Sequence, residues 1–238
     1  MRTDGRKLDE LRPVKITTGF TKYAEGSCLI EMGNTIVLCN ASVEDKVPPH
    51  VLSGGWITAE YSMLPRANRE RTKRDIAKLK LAPRSAEIQR LIGRSLRSAV
   101  NLQLLGEHTI TLDCDVLQGD GGTRTASVTG GFIALALALR KLLERGEIKT
   151  MPAFTYVSGV SAGIVNNVPM LDLCYEEDSH AMVDMNCVMT AGGELIEIQG
   201  TGEGRPFTVD EEMRLLELCK KGNTALCAIE KKIIGELT

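Results

Sequence analysis

Apolar and polar residues alternate with a period of two from Val14 to Asp45, which predicts strands. Within this stretch, Ser27–Met32 and Thr35–Asn40 form a predicted hairpin closed at Gly33 and Asn34. Beyond Trp56–Met63 the pattern lapses: Arg66–Lys80 has no strong apolar period and reads as a loop or mobile segment. Helical spacing then sets in over Ala86–Val100, where Ile88, Leu91, Ile92, Leu96 and Val100 form one stripe. Ser85 is the expected N-cap, and Arg90, Arg94 and Arg97 turn away from the stripe. His108–Gln118 alternates again, with Ile110, Leu112, Cys114 and Val116 on one face and Thr109, Thr111, Asp113 and Asp115 on the other. After a glycine-rich turn, Thr125–Arg145 is apolar on nearly every side and ends before Gly146, as expected of a central helix.

The last third returns to strands. Phe154–Val165 and Val168–Glu176 flank Asn166-Asn167, and Ala181–Thr190 and Glu194–Gln199 flank Gly192-Gly193, so two more hairpins are expected. Thr208 and Glu211 make a capping-box pattern that opens a C-terminal helical region, with an interruption expected near Gly222 and Asn223. Strands and helices come in blocks rather than strict alternation, which predicts an α+β architecture instead of a doubly wound parallel sheet.

A chain of 238 residues can bury a substantial core, and with no linker, repeat or low-complexity segment it reads as one domain over residues 1–238. Met1–Pro13 is charged throughout and does not resemble a signal sequence. The most apolar run, Gly130–Leu139, is about half the ~20 residues of a spanning helix, so no membrane association is expected. Seven cysteines stand singly in apolar stretches without a C-x-x-C pair, which predicts reduced, buried thiols and a cytoplasmic location.

The net charge of −2 conceals a strong asymmetry. Arg66–Arg97 holds eleven basic residues against three acidic ones, leaving 18 basic and 28 acidic residues elsewhere. A solvated helix face or a polyanion site would each account for this concentration.

The chemistry-bearing candidates lie near it. At Gly119-Asp120-Gly121-Gly122-Thr123-Arg124 a strand gives way to a helix through glycines. Such a turn can aim backbone N–H groups and an arginine at an anion, or it can be an ordinary tight connection. No Gly-Lys-Ser/Thr follows, so a Walker P-loop is excluded. Arg84, just ahead of a helix start, is either a second anion ligand or a surface arginine paired with a carboxylate. Asp178 and Asp184 flank a strand entry, where six residues of extended chain would turn both carboxylates to one side. They could hold a cation or protonate a leaving oxygen, or simply be a loop and a strand-end aspartate. His180 between them reads as a bystander, and Gly200–Gly204 as a connector. Aromatic residues are too few for an extended base-stacking platform, so any RNA contact should rest on phosphate and sugar.

Several phrases together resemble the bacterial ribonuclease PH family of phosphorolytic 3′ exoribonucleases. They are Trp56-Ile57-Thr58-Ala59-Glu60-Tyr61 with Met63-Leu64-Pro65-Arg66, Glu87-Ile88-Gln89-Arg90-Leu91-Ile92, Thr109–Gln118 with Gly121–Ser127, Asp184-Met185-Asn186 and Gln199-Gly200-Thr201. The resemblance implies a fold like the second domain of ribosomal protein S5, a homo-hexameric ring built from dimers, and tRNA precursors and other RNA 3′ ends as substrates. It implies inorganic phosphate as co-substrate, released nucleoside diphosphates, a reverse reaction that adds nucleotides from diphosphates, and magnesium. Carried over by residue, the family's phosphate site falls on Arg84, Gly122, Thr123 and Arg124, and its acidic pair on Asp178 and Asp184, with a catalytic or magnesium-binding role. The tRNA-gripping arginines fall on Arg66, Arg71 and Arg74. The chain departs from the family pattern at Ala82-Pro83, Val183 and Cys187, and of these Pro83 stiffens the approach to Arg84. A catalytically silent RNA-binding subunit of an exosome-like ring is the alternative, disfavoured because Arg84, Arg124, Asp178 and Asp184 are all present. Hydrolysis ranks behind both for want of a two-metal acidic cluster.

Overall fold

The computed structural model of the chain describes residues 2, 4–74 and 80–237. Its first sheet has five strands in the order β1-β2-β3-β5-β4: β1 (Val14–Thr18), β2 (Gly26–Met32), β3 (Thr35–Glu44), β4 (Trp56–Met63) and β5 (Thr109–Gln118). All neighbours in it are antiparallel except β4 and β5, which run parallel and are joined through helix α1 (Pro83–Arg97). The second sheet is antiparallel, in the order β7-β6-β8-β9, from β6 (Val157–Val165), β7 (Val168–Leu171), β8 (Val183–Thr190) and β9 (Leu195–Thr201). Helix α2 (Thr123–Glu144) packs on β2, β3 and β6 and so lies between the sheets, while α4 (Val209–Ile234) covers β6 and β7. One apolar cluster runs through both sheets and α2. The architecture is α+β, as the block pattern predicts.

Helix α2 has the length and hydropathy to cross a membrane, so the ten-residue run understated its apolar length. Most of the helix is buried instead, against strands on either side. Its close seat depends on small residues: a side chain at Gly26 of β2 would collide with the Ala134 carbonyl.

Three further expectations need correction. Helix α1 begins at Pro83 with Ala82 as N-cap, so Ser85 lies inside the first turn. Pro83 at the first helical position lacks only an N–H that would have had no intrahelical acceptor. Residues 172–176 do not continue β7; Tyr175–Asp178 form a single turn, α3, after Asp172 adopts a positive φ of 52°. Finally, α4 runs unbroken through Gly222 and Asn223. Gly222 is small because Leu171 and Val160 press on it, and the buried Asn223 accepts a hydrogen bond from Ser158 Oγ at 2.8 Å. Tight packing, not helix breakage, explains both residues.

Candidate active site

The C-terminal end of β5 runs into the glycine turn, and the turn is held from outside. Gly121 and Gly122 take positive φ values of 79° and 63°, and a side chain at Gly121 would collide with the Leu173 carbonyl. Thr35 Oγ1 donates to the Gly121 carbonyl at 2.6 Å and accepts from the Asp120 N–H at 3.0 Å. The buried Arg12 reaches the Asp120 carbonyl at 2.6 Å with Nη1 and the Asp172 carboxylate at 2.7 Å with Nη2. Helix α2 then starts with Gly122 as its N-cap and no side-chain capping bond. The first N–H groups of a helix have no intrahelical acceptors, so this end of α2 offers donors to an anion.

A polar cavity of about 620 Å³ opens beside this helix start. Arg84 and Glu87 of α1, Arg124 of α2, Asp178 at the end of α3 and Asp184 of β8 all line it. The expected pairing of Arg84 with Arg124 and of Asp178 with Asp184 is therefore met in one chamber. The two aspartates meet for a different reason from the one expected. Asp178 ends the helical turn α3, anchored by the Arg2–Glu177 ion pair at 2.6 Å, and a turn and a bend rather than extended chain lead from it to β8. Gly122 and Thr123 are not among the lining residues: Gly122 faces Arg12, and the buried Thr123 hydroxyl lies 2.8 Å from Tyr61 Oη. Both shape the helix start from behind the wall.

Arg124 is oriented before any ligand arrives. Its Nη1 donates to Gln199 Oε1 at 2.5 Å and to Glu87 Oε1 at 3.2 Å, and Gln199 Nε2 donates to Glu87 Oε1 at 3.0 Å. Glu87, Asn186, Gln199, Thr201 and Glu203 belong to the cavity but were not assigned a role from the sequence. The signal for Asn186, Gln199 and Thr201 lay in the phrases that carry the family resemblance. Thr201 and Glu203 sit in the glycine-rich stretch read as a connector.

Burial pushes the Asp184 carboxyl up to about 6, the Asp178 charge adds to this, and Arg124 and an Asn186 hydrogen bond at 3.1 Å oppose it. Asp178 opens to solvent through the cavity, yet the surrounding wall strips enough hydration to raise its pKa, against the pull of Arg84, Arg124 and Arg12. A carboxyl with a raised pKa in a chamber with two guanidiniums can give a proton to a leaving oxygen or, once ionised, share a cation. The one cluster of three potential metal ligands among the described residues, Asp45, His108 and Glu147, lies elsewhere. His108 precedes β5, whose ten residues separate it from the glycine turn by roughly 30 Å.

Arg66, Arg71 and Arg74 are exposed on the loop after β4 and do not line the cavity. The loop is nonetheless tied to the site: Ala67 is buried, its carbonyl accepts from the Gly119 N–H at 2.8 Å, and the Thr72 N–H reaches the Pro65 carbonyl at 2.9 Å. Residues 75–79 of the expected loop lie outside the described residues. His180 does not line the cavity; its Nδ1 lies 2.8 Å from the Glu176 carbonyl oxygen.

Residues 10–141 match the 3′ exoribonuclease family, domain 1, and residues 155–222 match domain 2 of the same family. A ribonuclease PH of Moorella thermoacetica is 54% identical over 239 residues, covering 100% of this chain and 96% of the relative. The ribonuclease PH of Solibacter usitatus is 54% identical over 236 residues, covering 98% and 99%. Among solved structures, rice Rrp46 superimposes with a TM-score of 0.76 at 17% identity over 98% of both chains. A chain of the Archaeoglobus fulgidus exosome with RNA bound to the active site gives 0.77 at 24% identity, over 94% of this chain and 91% of that one. At such identities these two speak for the fold alone. Matched across both domains and aligned nearly end to end with two ribonucleases PH, the chain belongs to the 3′ exoribonuclease family.

Proposed function

We propose that the cavity between Arg84, Arg124, Asp178 and Asp184 is the reaction centre of a phosphate-dependent 3′ exoribonuclease acting on tRNA precursors and other RNA 3′ ends. The observation that carries the assignment is the meeting, in one chamber beside the start of α2, of two arginines and a carboxyl raised to about 6. Inorganic phosphate fits the arginine side. Arg124, with Nη1 already engaged, presents the rest of its guanidinium, Arg84 supplies a second positive charge, and Gly122 and Thr123 hold the N–H groups of α2 in place.

A phosphate oxygen attacks the terminal phosphorus, the bond from that phosphorus to the upstream O3′ breaks, and the last nucleotide leaves as a nucleoside diphosphate. The upstream O3′ needs a proton, and Asp184 is the group best suited to supply it. Run backwards, the same carboxylate takes the proton from a 3′ hydroxyl while a diphosphate adds its nucleotide. The fixed arginines act mainly by positioning and by stabilising the charge that gathers on phosphorus.

In place of proton donation, Asp178 and Asp184, both ionised, also suit a magnesium ion. Their carboxylates share one wall, the charge of Asp178 raises the pKa of Asp184, and a hard oxygen-seeking cation would relieve that repulsion. Bound there, it would neutralise negative charge on the reacting phosphates.

The 54% relatives favour an active enzyme over a silent ring subunit. The likeness to ribonuclease PH favours assembly with further copies, which we extend to a homo-hexamer of three dimers. Seven free cysteines, six of them buried, support a cytoplasmic location. The deciding experiment incubates a 3′-extended tRNA with the enzyme and magnesium, with and without phosphate, and identifies the released mononucleotides by chromatography. Diphosphates are expected only with phosphate; monophosphates in both reactions would overturn the assignment.

A further inference from the structure

Tyr175 leaves 48% of its surface open although it begins α3, the turn that ends in Asp178. The guanidinium carbon of Arg69 stands 5.4 Å from the centre of its ring. The loop that bears Arg66, Arg71 and Arg74 thus touches the helical turn that bears Asp178. Between them lies a second recess, of about 400 Å³, lined by Asn68, Arg69, Glu70, Thr72, Asp120 and Tyr175 together with Gly119. Its size falls in the range of small-molecule sites, roughly 300–1,000 Å³.

The chemistry of this recess selects its occupant. An aromatic face and a guanidinium plane are the two surfaces on which proteins stack unpaired bases. The carboxylates of Glu70 and Asp120 would repel a phosphate but can accept from a base's exocyclic amine, and Asn68 and Thr72 offer both donors and acceptors. Asp120 is itself placed for this: its Oδ1 accepts from the Tyr175 N–H at 3.3 Å, and its carbonyl is held by Arg12. Tyr175 and Asp178 are one helical turn apart, about 5 Å along the axis, so the occupant belongs close to the cleaved bond.

We propose that this recess is a nucleobase subsite, which holds a base near the 3′ end of the RNA against the Tyr175 ring and beside the Arg69 guanidinium. The proposal rests on the placement of the cleaved bond in the Arg84–Asp184 cavity. It adds a sequence-tolerant grip on a single base, where the scarcity of aromatic residues had left only phosphate and sugar contacts.

The test uses short single-stranded RNAs carrying 2-aminopurine at one of the last five positions, bound to the full-length enzyme without phosphate so that nothing is phosphorolysed. Fluorescence should be quenched at one position in the wild type and in Tyr175→Phe, and released in Tyr175→Ala; Arg69→Ala should weaken the same signal. In turnover assays Tyr175→Ala should raise the KM for short RNA about tenfold, a loss typical of one stacked base, while the KM for phosphate stays unchanged. Unaltered quenching and RNA KM in both Tyr175→Ala and Arg69→Ala would overturn the subsite. So would a Tyr175→Ala defect confined to kcat and phosphate KM, which would make Tyr175 a support for Asp178 instead. Should Tyr175→Ala fail to fold, Arg69→Ala and Tyr175→Leu carry the same comparison. Because quenching is read without phosphate, failure of the subsite is distinguishable from failure of the phosphorolytic reading.

Discussion

Arg12 and Asp172, 160 residues apart, form a buried two-pronged pair: Nε donates to Oδ2 at 3.1 Å and Nη2 to Oδ1 at 2.7 Å. The remaining arm of Arg12 holds the Asp120 carbonyl, so one side chain fixes both the glycine turn before α2 and the residue that leads into α3. The phosphate side and the acidic side of the cavity are thereby set by a single guanidinium that never enters it.

Arg12→Ala should therefore damage stability and catalysis together. Removing one partner strands the other charge in the core, a loss of about 3–5 kcal/mol. Arg12→Lys should rescue little, since an ammonium cannot make the forked contact. Urea unfolding and the phosphate KM of whatever folded enzyme remains check both points. A variant with wild-type stability and KM would remove Arg12 from this role.

The linkage of Asp184 to pH has a definite sign. Its folded-state pKa, about 6, lies above the ordinary value of 3.8, so between these values the native state binds more protons than the unfolded chain. Folding stability falls as pH rises through that window and levels off above it. Asp184→Asn should raise stability at pH 8 by roughly 2 kcal/mol, discounted for the water in the cavity, and change it little at pH 3.5. It should also abolish turnover while RNA still binds. Asp178→Asn should lower the Asp184 titration and Arg124→Ala should raise it, which carboxyl-carbon NMR in metal-free buffer can follow. Movement in the opposite directions would contradict the cavity's charge arrangement.

How much of this was legible beforehand depends on the range of the interactions. The hairpins at Gly33-Asn34 and Asn166-Asn167 could be read because a two-residue turn with positive φ has a local signature. The parallel pairing of β4 with β5 could not, since it depends on a crossover of 45 intervening residues. Arg84, Arg124, Asp178 and Asp184 stood out as candidates because each sits near an element boundary that the pattern marks, but only the family resemblance chose between a role and a bland reading for them. The clamp of Arg2 and Arg12 on Glu177 and Asp172 was missed because nothing within a short window distinguishes a buried arginine from a surface one. Glu87 entered as a charge in the basic stretch and as part of a family phrase but received no role, although it steers Arg124.

Arg84→Ala and Arg124→Ala should each raise the phosphate KM about 10- to 100-fold, the cost of removing one charge-assisted hydrogen bond. Glu87→Gln offers a finer probe. The amide still offers Oε1 to Arg124 and Gln199 but no longer competes electrostatically with phosphate, so the phosphate KM should fall. Initial rates against phosphate concentration, at saturating RNA, decide each case.

The exposed arginines on the loop after β4 should act on long substrates rather than on chemistry. Arg66, Arg71 and Arg74 lie outside the cavity, yet the loop is fastened to Gly119 and Pro65, so their charges have a defined position beside the site. A short oligonucleotide that fills only the cavity has little to gain from them, whereas a folded tRNA extends across the loop. Replacing all three by Ala should weaken tRNA binding far more than binding of a short oligonucleotide. It should also flatten the dependence of log K on log salt, by about 0.7–0.9 for each phosphate that the loop no longer neutralises. Equal losses on both substrates, with an unchanged salt slope, would mean that the loop shapes the cavity instead of gripping the tRNA body.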